Sequence, residues 1–133
     1  MDDRKKRILV IDDDRESLEF TEDVLAREGF EVITALDGQE GLRKAVSEHP
    51  ALIVLDVMMP EQDGWDTCDM LRAKAEIKNV PIVFLTAVNS PKSLFQPHGA
   101  FETDWDEYLT KPVQSKALLA VVRKLLKETA ALH

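Results

Sequence analysis

The sequence predicts an α/β fold, a doubly wound sheet of five parallel strands with helices on both faces, and three observations carry that prediction. First, Ile8 to Ile11, Leu52 to Leu55 and Ile82 to Leu85 are unbroken apolar runs. Short runs of this kind bounded by turn signals read as strands buried on both faces, as in a parallel sheet covered by helices. Second, stretches of helical spacing alternate with the strands, the rhythm of βα units. Third, the strand segments end in polar residues, Asp12 and Asp13, Asp56, Thr86 and Lys111. Open sheets of this class bind ligands outside the carboxyl ends of their strands.

Each element follows in order. After the first strand, Glu16 to Glu28 has helical spacing: Leu18, Phe20, Val24 and Leu25 fall within one broad apolar stripe, and Gly29 stands where the helix stops. Asp13 or Asp14 can cap its start. Glu31 to Ala35, β-branched but less continuously apolar, is the second strand and reads as a sheet edge. Asp37 and Gly38 make a turn, and Gln39 to Glu48 a second helix with Leu42, Ala45 and Val46 inward and Pro50 beyond its end. The third strand closes at Asp56. A loop from Val57 to Asp63 leads to a third helix, from about Gly64 or Trp65 to Lys74, with Trp65, Cys68 and Leu71 on one side. Pro81 precedes the fourth strand, which closes at Thr86. Between Val88 and Asp104 the residues Pro91, Pro97 and Gly99 interrupt any long helix, and only Pro91 to about Gln96 reads as a short helical turn. Trp105 to Thr110 is the fifth strand. Ser115 to about Lys127 is the last helix, with Leu118, Leu119, Val122, Leu125 and Leu126 on its buried face.

The first, third and fourth strands are the most apolar, while the second and fifth are mixed. Mixed strands belong at the edges, which gives the spatial order 2-1-3-4-5, the flavodoxin-like arrangement, by burial alone. The switch point then falls between the first and third strands, where Asp12, Asp13 and Asp56 terminate.

At 133 residues the chain is expected to be a single domain, 1–133 with its core at about 7–127, large enough to bury a core without staples. A formal net charge of −8 repels a phosphate backbone, so no direct nucleic-acid partner is expected. Cys68 is the only cysteine, which excludes an internal disulfide and is compatible with a reducing compartment; a buried or half-buried thiol is the default reading. The charged stretch Met1 to Arg7 is followed by four apolar residues before Asp12, too few for a secretion signal. The longest apolar runs fall far below the roughly 18 residues of a membrane-spanning helix, so a cytoplasmic protein without membrane insertion is expected.

Carboxylates crowded at one rim repel one another, and a cation relieves the repulsion. Mg²⁺ takes octahedral oxygen ligands, typically one or two carboxylates with water and phosphate oxygens completing the shell. Asp13 and Asp56 are expected as direct ligands, Asp12 directly or through water, and the backbone carbonyl of Met58 as a further oxygen. A carboxylate can also attack phosphorus to give an aspartyl phosphate, in chemistry driven mostly by positioning and charge stabilisation. Asp56 is the expected nucleophile, because it closes the central third strand facing the acidic pair on its neighbour. Lys111 and Thr86 would then meet the phosphoryl oxygens.

The same residues carry a resemblance. Ile8 to Asp14, Leu55 to Pro60 with Asp63 and Gly64 following, Thr86-Ala87, and Tyr108 to Pro112 stand in order at the strand ends. On these motifs, over residues 7 to about 127, the chain resembles a response-regulator receiver domain of the single-domain, CheY-like kind. Each motif alone is modest; four in order are specific. The resemblance implies a phosphoprotein of a two-component phosphorelay, a signalling module rather than an enzyme with separate turnover. It implies that Asp56 accepts phosphate from a phosphohistidine on a sensor histidine kinase or phosphotransfer protein, with Mg²⁺ held by Asp12, Asp13 and Asp56. Thr86 and Tyr108 are implied as the paired switch, and Lys111-Pro112 as a cis peptide. The surface that changes is then the one made by the fourth helix, fifth strand and fifth helix, where a downstream protein would bind.

Receivers usually carry a regular fourth helix and approach the fifth strand through a short Gly-Ala-acidic segment. Here Gly99 to Trp105 is longer and more aromatic, so an irregular fourth helix is expected. The rival function is a Mg²⁺-dependent phosphatase or phosphotransferase with Asp56 as nucleophile. Many such enzymes place a general acid two residues beyond the nucleophile, where this chain has Met58. A flavodoxin-like FMN carrier would need a hydroxyl- and glycine-rich loop after the first strand, where Asp12 to Asp14 stand. Asp14 reads as a cap. His49, His98 and His133 lack metal-ligand spacing, and Trp65, Phe101 and Trp105 read as packing residues.

Overall fold

Runs that are apolar on both sides need cover on both sides, and the fold supplies it. The computed structural model describes residues 6–56, 64–86 and 107–131. Its strands β1 (Arg7–Ile11), β2 (Glu31–Ala35), β3 (Leu52–Asp56), β4 (Ile82–Thr86) and β5 (Glu107–Thr110) form one parallel sheet in the order β2-β1-β3-β4-β5. The expected order and the flavodoxin-like, CheY-like class both hold. Among the described residues the helices are α1 (Arg15–Arg27), α2 (Gly38–Glu48), α3 (Gly64–Arg72) and α4 (Ser115–Ala131), the last being the one anticipated as the fifth. The segment expected to be irregular, Val88 to Asp104 with its turn at Pro91 to Gln96, lies outside the described residues, as do Trp105 and Asp106.

Alternate side chains of a strand point to opposite faces, and the core divides accordingly. Leu9, Ile11, Ile53, Leu55, Ile82 and Phe84 join Ala45 of α2 with Cys68 and Leu71 of α3. Ile8, Val10, Leu52, Val54, Val83 and Leu85 join Leu18 and Leu25 of α1 with Leu118, Val122 and Leu125 of α4. Every residue of the three apolar runs is fully buried, whereas Val32, Ile33 and Thr34 of the edge strand β2 are half-buried.

Helix ends follow local chemistry. The Asp14 side chain accepts a hydrogen bond from the Glu16 N–H at 3.1 Å and caps α1. The same helix closes with Gly29 N–H on the Ala26 carbonyl at 3.0 Å and Phe30 N–H on the Leu25 carbonyl at 3.3 Å, a turn that needs the φ of +95° found at Gly29. At the start of α2, Asp37 accepts from the Glu40 N–H at 2.8 Å. Glu40 in turn accepts from the Leu36 N–H at 2.8 Å and pairs with Lys44 at 3.2 Å, while Lys44 donates to the Thr34 carbonyl at 2.6 Å. The bond from Leu36 holds the Glu40 carboxyl below its ordinary pKa, with Lys44 adding to it against partial burial. These contacts tie the first two turns of α2 to the carboxyl end of β2.

Two expectations need correction. Phe20 is not part of the buried stripe of α1 but is 44% exposed. It lies roughly 200° around the helix from Leu18, so it faces away from the sheet that Leu18, Thr21 and Leu25 cover. The third helix ends at Arg72 rather than Lys74: the Lys74 N–H bonds the Leu71 carbonyl at 3.1 Å, a tighter turn than the helical pattern, and beyond it the Arg72 guanidinium donates to the carbonyls of Lys78 and Val80 at 3.0 and 2.7 Å.

Thr67 of α3 is fully buried, and among the described residues its Oγ1 is the buried side-chain polar atom without a hydrogen-bond partner. A hydroxyl desolvated without compensation destabilises the folded state. Thr67→Val is therefore expected to raise the free energy of unfolding by about 1 kcal/mol, read from the urea midpoint. A lower midpoint would show that the hydroxyl is satisfied.

Candidate functional site

Parallel strands deliver the chain to one rim, and register decides which residues meet there. Ile11 of β1 is paired with Leu55 of β3, so the next residues, Asp12 and Asp56, stand side by side at the switch point. Asp12 is fully buried and Asp56 is 2% exposed, while Asp13 faces solvent. One carboxylate oxygen from each of Asp12, Asp13 and Asp56 lies within 4.8 Å of the others. The Asp12 N–H donates to the Ala35 carbonyl at 3.1 Å, and its Oδ1 accepts from the Asp14 N–H at 3.0 Å, so both the backbone and the side chain of this residue are fixed.

The counter-charge comes from the residue after β5. Lys111 Nζ lies 3.2 Å from Asp56 Oδ2 and 3.4 Å from Asp12 Oδ2. Burial disfavours its charge, but attraction to Asp56 and Asp12 together outweighs that penalty and raises its pKa above the ordinary lysine value. The ammonium therefore stays charged throughout the physiological range.

Three carboxylates and one ammonium leave a formal excess of two negative charges, the amount one divalent cation balances. Hard oxygen ligands in such a group suit Mg²⁺ or Ca²⁺ rather than a soft metal. The donor set therefore fits the ion expected from the sequence, with Asp12, Asp13 and Asp56 as the groups that could hold it.

The structure thus brings together Asp12, Asp13, Asp56 and Lys111. Thr86 ends β4 opposite Thr110, and Asp56 is paired with its neighbour Leu85, so the Thr86 backbone reaches the same rim. Tyr108 lies in β5 opposite Phe84. The side chains of Thr86 and Tyr108, and the whole of Met58, lie outside the described residues. The Lys111-Pro112 peptide is cis. Asp14 serves as a cap. His49 ends α2 with a φ of 51°, where the chain turns toward the amino end of β3, away from the acidic rim. His98 and His133 lie outside the described residues. Sequence reasoning missed the Glu40-Lys44 tie beneath the site, although Asp37 and Glu40 have capping-box spacing and Glu40 and Lys44 an i,i+4 charge pair.

Comparisons with known proteins identify the family and the fold. The pattern of the family described as "Response regulator receiver domain" matches residues 8–123. A probable transcriptional regulator ycf27 from Cyanophora paradoxa is 41% identical, over 97% of this chain and 52% of its own length. The alkaline phosphatase synthesis transcriptional regulatory protein PhoP of Bacillus subtilis is 40% identical, over 93% of this chain and 50% of its own. The chain thus spans about half the length of these curated relatives. The structure of the chemotaxis protein CheY4 of Vibrio cholerae superposes with a TM-score of 0.82 at 29% identity, covering 92% of this chain and 99% of that one. Among the described residues, no helix is long and apolar enough to cross a membrane.

Lys111 competes with any cation for Asp12 and Asp56. Replacing it by Met is expected to tighten Mg²⁺ binding on the order of tenfold in a calorimetric titration, the effect of removing roughly 1.4 kcal/mol of like-charge repulsion. Unchanged affinity in Lys111→Met would mean that the cation sits away from these two carboxylates.

Proposed function

The chain belongs to the response regulator receiver family, and from that premise we propose that it is a phosphoacceptor signalling module that takes a phosphoryl group on Asp56 in a Mg²⁺-dependent reaction. The observation that carries this reading is the Lys111 ammonium lying between the buried Asp12 and Asp56 carboxylates at the switch point of the sheet. The donor is a phosphohistidine on a sensor histidine kinase or phosphotransfer protein. An Asp56 oxygen attacks phosphorus, the new P–O bond forms as the P–N bond breaks, and the imidazole keeps the bonding pair. Lys111, already charged, balances the anionic phosphoryl oxygens, so little reorganisation is needed at the moment of transfer.

Asp12, Asp13 and Asp56 would hold Mg²⁺, with the Met58 carbonyl as a further oxygen. When bound, the ion neutralises charge on the carboxylates and on the transferring group. The Thr86 hydroxyl binds a phosphoryl oxygen and, with Tyr108, forms the switch that alters the face made by β5, α4 and the segment between β4 and β5 for a downstream partner. Such a switch shifts a population between two states, by no more than the difference in their contacts with the phosphate. The only chemistry of the chain itself is gain and loss of that phosphate. The two relatives above are transcriptional regulators by name; on this segment, with its net charge of −8, we place no direct nucleic-acid contact.

Incubation with Mg²⁺ and acetyl phosphate, followed by intact mass, tests the reading. The native chain is expected to gain one phosphoryl group, and Asp56→Ala none. Rapid hydrolysis of varied phosphomonoesters with no accumulated adduct would instead identify an aspartate-nucleophile phosphatase.

A further inference from the structure

Asp12 is held from two sides. Its carboxylate is fully buried, and its oxygens have separate partners: the Asp14 N–H donates to Oδ1 at 3.0 Å and the Lys111 ammonium to Oδ2 at 3.4 Å. The two holds differ in kind. Lys111 lies nearer Asp56, at 3.2 Å, and on the reading above it also meets the phosphoryl oxygens, so its grip on Asp12 is shared. A main-chain N–H has one hydrogen to give, and this one goes to Asp12.

That N–H is itself fixed. Asp14 is the N-cap of α1: its side chain accepts from the Glu16 N–H at 3.1 Å, and its carbonyl accepts from the Leu18 N–H at 2.9 Å. Leu18 is buried in the core between α1, α4 and the sheet. An unbroken set of bonds thus runs from the core, through the first turn of α1 and the Asp13-Asp14 peptide, to one oxygen of Asp12. Amide donors to an ionised carboxylate make some of its stronger hydrogen bonds, and a fixed donor sets how the carboxylate is turned. With Oδ1 anchored, Oδ2 is the oxygen directed at Lys111, beside Asp56.

We propose that Asp14, through its main-chain N–H, is a positioning residue for the acidic site: the start of α1 orients the Asp12 carboxylate and keeps it beside Asp56 when Lys111 turns to the phosphoryl oxygens. The inference rests on the reading that Asp12 belongs to a Mg²⁺ site. Asp14 is not a ligand; it acts through Asp12.

The test compares Asp14→Ser, Asp14→Ala and Asp14→Pro in the full chain, for Mg²⁺ affinity by calorimetry and for thermal unfolding. All three remove the same exposed charge, so that effect cancels among them. Serine keeps both the cap and the N–H, and alanine only the N–H. Proline keeps neither, while its φ of about −65° departs little from the −91° found at Asp14. Asp14→Ala is expected to unfold at a lower temperature than Asp14→Ser but to bind Mg²⁺ equally well. Asp14→Pro is expected to bind Mg²⁺ about tenfold more weakly than Asp14→Ala, the scale seen when a group that hydrogen-bonds a metal ligand is altered. Equal affinity in Asp14→Pro and Asp14→Ala would overturn the proposal. If Asp14→Pro does not fold, an ester in place of the Asp13-Asp14 peptide, made with the α-hydroxy analogue of alanine at position 14, removes the N–H without the ring and is read against Asp14→Ala in the same way. If the native chain binds no Mg²⁺, the metal reading fails by itself. The Asp12 carboxyl carbon resonance of the metal-free proteins then decides the positioning: moved in Asp14→Pro relative to Asp14→Ala, it stands; unmoved, it falls.

Discussion

Two carboxylates buried side by side are the constraint on which the rest of the structure depends. Asp12 and Asp56 are almost inaccessible to solvent, and removing charge from water is costly unless it is paired. The Lys111 ammonium supplies the pairing at 3.2 and 3.4 Å, and Asp14 adds a backbone donor to Asp12. One ammonium does not neutralise two buried carboxylates and an exposed third. On the proposed reading, the remaining charge draws a cation to the rim and, with it, the oxygens of a phosphoryl group.

That arrangement also bears on strand register. In a sheet with one polar face, alternation of side chains fixes register, because a slip of one residue exchanges the faces. Here β1, β3 and β4 are apolar on both faces, so alternation carries little information. The polar ends carry it instead: a slip that drew Asp12 or Asp56 inward would place an unpaired carboxylate among Leu, Ile and Val. The residues proposed to do the chemistry are also the ones that stop the strands from sliding. Beneath them, α2 is tied to β2 through Glu40 and Lys44.

The sheet and the rim were legible in the sequence because both rest on linear signals: unbroken apolar runs, mixed edge strands, and polar residues at the strand ends. Asp12, Asp13, Asp56 and Lys111 meet as those signals imply. Helix facing was less legible. Phe20 looked like part of an apolar stripe, yet with Leu18, Thr21 and Leu25 directed at the sheet the geometry leaves it outside. A threonine at a core position of α3 reads from sequence as an ordinary helix residue; its unpartnered hydroxyl appears only once the neighbours are placed.

The central claim is that Asp12, Asp13, Asp56 and Lys111 make one site for a divalent cation and a phosphoryl group together. A crystal structure grown with Mg²⁺ and trifluoroberyllate, a phosphoryl mimic that bonds to a carboxylate oxygen, tests it most directly. The expected result is beryllium on an Asp56 oxygen, a fluorine against Lys111 Nζ, and the metal bound by Asp12, Asp13 and Asp56. A metal held away from Asp56, or trifluoroberyllate bonded to a different side chain, would contradict it.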